Sequence, residues 1–115
     1  MAITAHAKTT LKLNEGKAID ATARSAVFGA EATGGDYKTL FIFNNTGSSA
    51  VTATIAVGDG IQGAGSDLVV SCAGSKTTYL VVDSGYFKNV SGEYKDYIKV
   101  TPSASLSVTI VELPQ

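Results

Sequence analysis

The sequence predicts an all-β fold, a single small antiparallel β-sandwich or β-barrel with an extended N-terminal arm, and three observations carry that prediction. From Thr39 onward, short runs rich in Val, Ile, Thr, Tyr and Phe alternate with clusters of Gly, Asn, Ser and Asp, the rhythm of strands and tight turns. Several runs alternate apolar and polar residues with period two, as half-buried strands do. No segment sustains a helical period; only Ala18 to Ala26, free of Gly and Pro, suits a short helix. The 115 residues fit one domain, and a hydrophobic content of 44% supplies a core without disulfides or metal.

Residues 1–24 mix Ala, Thr and Lys with few large apolar groups and read as an arm held by its own domain or by a neighbouring chain. The folded domain is then 25–115, with Val27 and Phe28 as its first firm apolar cluster. Strands are expected over 39–44, 50–57, 67–73, 77–83, 96–101 and 105–112. In the second of these Val51, Ala53, Ile55 and Val57 face inward while Thr52 and Thr54 face outward. Leu106, Val108 and Ile110 alternate with Ser and Thr in the same manner. Leu40-Phe41-Ile42-Phe43 and Leu80-Val81-Val82 are apolar on both faces, which suits central strands or strands covered by another subunit. The turn Asn44 to Ser49, with Gly47 available for a positive φ, predicts a hairpin that pairs 39–44 with 50–57. Gly58 to Ser66 is the longest loop, and Asp83-Ser84-Gly85 and Ser91-Gly92 mark further turns.

The residues argue against most chemistries. A formal net charge of -1 gives no cationic surplus for nucleic acid. The single cysteine, Cys72, allows no internal disulfide and reads as a small buried hydrophobe in a reducing compartment. The start lacks the apolar region of an export signal, and no run is long enough to span a bilayer as a helix. A Ser or Cys nucleophile needs a base, and the only histidine, His6, lies in the arm, where a solvated or interface position is expected. One His and one Cys cannot make a structural zinc site. Asp59 with Asp67 could offer oxygen ligands to calcium, but Asp-Gly is ordinary turn chemistry. Gly58-Asp59-Gly60-Ile61-Gln62-Gly63 matches G-x-G-x-x-G literally but opens no helix, so it has no N-terminus to receive a pyrophosphate. Asp83, Glu93 and Asp96 read as solvated turn charges. No catalytic residue, cofactor or metal is expected. Tyr79, Tyr86, Phe87, Tyr94 and Tyr97 concentrate aromatics in the second half, for local packing or for recognition by the 85–95 segment.

With these residues in view, the chain resembles the head decoration, or capsid cement, proteins of tailed bacteriophages. The likeness lies in Leu40-Phe41-Ile42-Phe43-Asn44-Asn45-Thr46-Gly47, in Val51-Thr52-Ala53-Thr54-Ile55 leading to Gly58-Asp59-Gly60-Ile61-Gln62-Gly63, in Asp83 to Gly92, and in Val108-Thr109-Ile110-Val111-Glu112-Leu113. It covers roughly the last two-thirds of the chain. The resemblance implies a non-enzymatic virion protein, made in the host cytoplasm, that sits on the outer capsid surface, binds the major capsid protein and forms a homo-oligomer, often a trimer. Neither nucleic acid nor membrane is an implied partner. The contact candidates are then Ile3, His6, Lys8, Leu11 and Leu13 in the arm, Asp59, Ile61 and Gln62 in the glycine-rich loop, and Tyr86, Phe87, Lys88 and Tyr94 in the third segment. The rival reading is a carbohydrate- or receptor-binding module that stacks sugars on Tyr86, Tyr94 and Tyr97.

Overall fold

Strands form where the β-branched and aromatic runs lie, and each buries one side of its alternation against a second layer. The computed structural model describes residues 4–11, 13–19, 21–32, 38–58, 66–83 and 87–113. The first sheet runs, in spatial order, β1 (Ala5–His6), β4 (Phe28–Glu31), β9 (Tyr97–Pro102), β6 (Val51–Ile55) and β7 (Leu68–Cys72). The second runs β2 (Thr9–Thr10), β10 (Leu106–Glu112), β5 (Lys38–Asn45) and β8 (Lys76–Asp83), with β3 (Thr22–Arg24) also on β10. This is an all-β sandwich, and the six runs read as strands all form. Its body is antiparallel, but β1 joins β4 and β2 joins β10 in parallel, so the sheets are mixed. β4 was not anticipated, because Phe28-Gly29-Ala30-Glu31 offers one large apolar side chain.

The core lies between the layers. Phe28, Ile98, Val100 and Ile55 from the first sheet meet Phe41, Phe43, Leu106, Val108 and Ile110 from the second. Phe41 and Phe43, two residues apart on one face of β5, stack with ring centroids 5.6 Å apart. Burying each such ring stabilises the fold by about 1.5–3 kcal/mol. The period-two expectation holds in β6, where Val51, Ala53 and Ile55 are buried while Thr52 and Thr54 are half-buried; in β10 Leu106, Val108 and Ile110 are buried as expected, but so is Thr109, read as facing outward.

Four other expectations need correction. The Asn44–Ser49 turn does not close a hairpin: β5 pairs with β8 and β10, whereas β6 pairs with β7 and β9. The chain instead arches from one sheet to the other, and the β7–β8 connection arches back. Gly47 has no positive φ, since Gly92 is the described glycine in that region. The arch is held by Asn45, whose buried side-chain amide donates to the carbonyls of Ser49 (2.8 Å) and Cys72 (3.0 Å) while its Oδ1 accepts from Gly47 N–H (3.0 Å). The second arch seats against the first: Ser75 N–H donates to Gly47 O at 2.8 Å, and a Cβ on Gly74 would lie 2.4 Å from Ser48 O. β8, read as a central strand or one covered by another subunit, is an edge strand, which removes the first of those alternatives. Finally, the stretch expected to make a helix over 18–26 supplies strand β3, because its backbone finds β10 as a partner.

Candidate functional site

The two sides of the sandwich differ in how their edges end, and each gathers candidate residues. On one side the segment read as an arm closes the edges of its own domain. β1 adds to β4, while β2 and β3 share one edge of β10, at Val111–Glu112 and Leu106–Val108 respectively. Side chains reinforce this closure. Lys8 forms an ion pair with Glu112, and its backbone N–H donates to Glu31 Oε1 at 3.1 Å, so one residue ties the arm to both sheets.

His6 is the arm's anchor. Expected at a solvated or interface position, it is only 6% exposed and its ring lies 5.5 Å from that of Phe28. Arg24 Nε donates to His6 Nδ1 at 3.0 Å, and Arg24 Nη2 to Ala5 O at 3.2 Å. The guanidinium carbon stands 5.5 Å from the centre of the Phe28 ring. Burial first, and then the Arg24 charge, lowers the imidazole from 6.5 to about 4. The ring is therefore neutral at physiological pH, and because Nδ1 accepts, its proton resides on Nε2.

The opposite side has no such cover among the described residues. β7 and β8 end their sheets with one long edge each free. Val69 on β7 is 62% exposed, and Tyr79 and Val81 on β8 are 67% and 51% exposed. Tyr79 and Val81 stand opposite Ile42 and Leu40 of β5, which makes an apolar stripe across the outer face of the second sheet. Cys72, on the inner side of β7, is a buried small hydrophobe as expected; burial pushes its thiol up, opposed by a hydrogen bond with Thr78.

The other contact candidates distribute unevenly. Leu11 is half-buried beside β10, its N–H donating to Glu112 O at 3.1 Å, whereas Leu13 is 75% exposed. Phe87 packs against the core, and Lys88 pairs with Ile98 in an isolated bridge. The segment from Phe87 to Asp96 is thus folded onto β9 rather than fully presented to solvent. It turns through Gly92 (φ 78°) and Asp96 (φ 70°). Tyr94 is half-buried with Lys99 Nζ 5.5 Å from its ring centre, and Tyr97 sits in β9 opposite Glu31. Gly58 packs closely on this segment, since a Cβ there would lie 2.3 Å from Lys88 O. Asp67, considered as a calcium ligand, accepts from Val57 N–H at 2.9 Å. Ile3, Asp59, Ile61, Gln62 and Tyr86 lie outside the described residues.

Among the described residues no group of three or more His, Cys, Asp or Glu is placed to hold a metal ion, and no helix is long and apolar enough to cross a membrane. The arrangement offers edges, an apolar stripe and an anchored arm. Compared with protein-family models, curated proteins and solved structures, the chain matches none.

Sequence reasoning passed over Arg24 and Val69, and it took Val81 only as part of a run suited to a central strand or one covered by another subunit. Tyr79 and Val81, two residues apart with Thr77 before them, carried the period-two signal of one strand face. The neighbouring Leu80 and Val82 concealed it by making the run look apolar on both sides.

Proposed function

We propose that this chain is a structural virion protein of the decoration class, which binds the outer surface of a major capsid protein lattice and stabilises the head. The observation that carries this reading is the β7–β8 side, where both edge strands are uncovered among the described residues and Tyr79 and Val81 stand exposed together on the outer face of β8. An uncovered strand edge is a template for pairing with another chain, and monomeric β proteins blunt such edges with charge, proline or a bulge. β8 carries charge only at its two ends, Lys76 and Asp83, and neither charge nor proline from Thr77 to Val82. The resemblance of the 40–47, 51–63, 83–92 and 108–113 segments to capsid cement proteins supplies the partner. Many copies on a lattice add weak contacts into firm retention, so no single deep site is needed. Self-association, with a trimer as the favoured form, belongs to the same reading.

Co-sedimentation with purified heads lacking decoration tests it. The wild-type chain is expected to pellet with the heads and raise their resistance to heat. A Tyr79→Lys, Val81→Lys variant is expected to remain folded and stay in the supernatant. Failure of the wild-type chain to bind, or full binding by the double variant, would overturn this assignment of the surface.

A further inference from the structure

The arm leaves a gap on β10. β3 covers Leu106–Val108 and β2 covers Val111–Glu112, so between them Thr109 and Ile110 meet neither strand. A cleft of about 220 Å³ opens there, with His6, Thr9, Ile19, Thr22, Arg24 and Thr109 in its walls.

The chemistry of these walls is one-sided. No carboxylate is found among the described lining residues, and the polar side chains present are a guanidinium, an imidazole and three threonine hydroxyls. His6 accepts at Nδ1 from Arg24, so its remaining nitrogen is a donor. Arg24 spends Nε on His6 and one Nη2 proton on Ala5 O, with the Phe28 ring behind it. Among the described residues, none is seen to accept from its other guanidinium donors and no acidic side chain pairs with it. A half-buried arginine whose angle is set by a ring, an imidazole and a carbonyl is a pre-organised receptor for two parallel oxygens. Thr22, two residues before Arg24 on the same face of β3, has a hydroxyl that can donate to the same oxygens.

We propose that this cleft binds a small oxyanion, with Arg24 as the charge partner and Thr22 among the hydroxyls that orient it. The ligand group is supplied either by a free ion such as phosphate or by a carboxylate side chain of a partner protein. Both present the paired oxygens that the guanidinium recognises. This site stands on the arm side and is independent of the lattice role read from β8.

Amide NMR titration of the full chain at pH 7 tests it, with sodium phosphate, sodium acetate and, as the control, sodium chloride at matched ionic strength. Resonances of His6, Thr22, Arg24 and Thr109 are expected to move saturably with phosphate or acetate and not with chloride. Tighter phosphate binding marks a free ion as the occupant and tighter acetate binding a carboxylate side chain; either upholds the site. Arg24→Gln is expected to weaken binding roughly tenfold or more, while Lys99→Gln leaves it unchanged. Where Arg24→Gln loses its fold by circular dichroism, Thr22→Val decides, with weakened binding expected in a folded chain. Absence of saturation with both oxyanions, or equal saturation in every folded variant, would overturn the proposal.

Discussion

The arm side and the β7–β8 side of this sandwich solve the same problem in opposite ways. Each sheet must end somewhere, and an edge strand exposes backbone donors and acceptors. On the arm side, three strands of two or three residues cover β4 and β10, and side-chain contacts through Lys8, His6 and Arg24 hold them there. On the other side, β7 and the eight-residue β8 remain uncovered among the described residues. Cover is built from polar and charged contacts, whereas the open side is apolar. An edge sealed within the chain is fixed during folding; an edge left open and apolar remains available to a second chain.

The strongest way to break this contrast is to remove what both layers of the arm side rest on. Phe28→Ala, which takes away the ring beneath His6 and Arg24 as well as core volume, is expected to cost about 3–5 kcal/mol in urea unfolding. Next comes the anchor itself. The folded-state value of His6 is depressed from 6.5 to about 4, so the unfolded chain binds the extra proton first as pH falls. Its contribution is fully present above about pH 6.5, declines through the window down to about pH 4, and is lost below it. That window corresponds to on the order of 3 kcal/mol. Proton NMR of the imidazole, the only one in the chain, is expected to show a midpoint near 4; a midpoint near 6.5 would show that the anchor does not hold.

Smaller effects are expected on the open side. Asn45→Ala removes the amide that bonds Ser49 O and Cys72 O inside the arch, and is expected to cost about 1–3 kcal/mol because Cys72 O is then buried without that donor. Thermal unfolding measures it. Tyr79→Ser and Val81→Thr, on the exposed stripe, are expected to change stability by no more than about 0.5 kcal/mol. The contrast sharpens if these two nearly silent changes weaken binding to heads.

Much of this fold was legible because its strongest signals are local. Val51 to Ile55 and Leu106 to Ile110 alternate with period two, and both strands bury the predicted side chains. What escaped prediction depends on partners far along the chain. Asn44 to Ser49 has ordinary turn chemistry, and nothing in those six residues says whether the next strand returns to the same sheet or crosses to the other. The crossing is fixed by Asn45 reaching Cys72, 27 positions away. Ala18 to Ala26 has adequate helix propensity, yet β10 offers strand pairing that only the folded state provides. The candidate site was legible in part: His6 and Lys8 were among the contact candidates in the arm, but Arg24 was inconspicuous until the fold set it against Phe28.

The shared edge of β10 also orders events in time. During synthesis β2 and β3 emerge well before β10, the strand they must join, and the intervening chain has to close a long loop first. β1 waits only for β4, a much nearer partner. The arm is therefore the earliest part of the described chain to be made and among the last to settle. In that interval its strands are unclaimed, and a neighbouring copy with a finished β10 edge competes for them according to its concentration against the effective concentration of the chain's own edge.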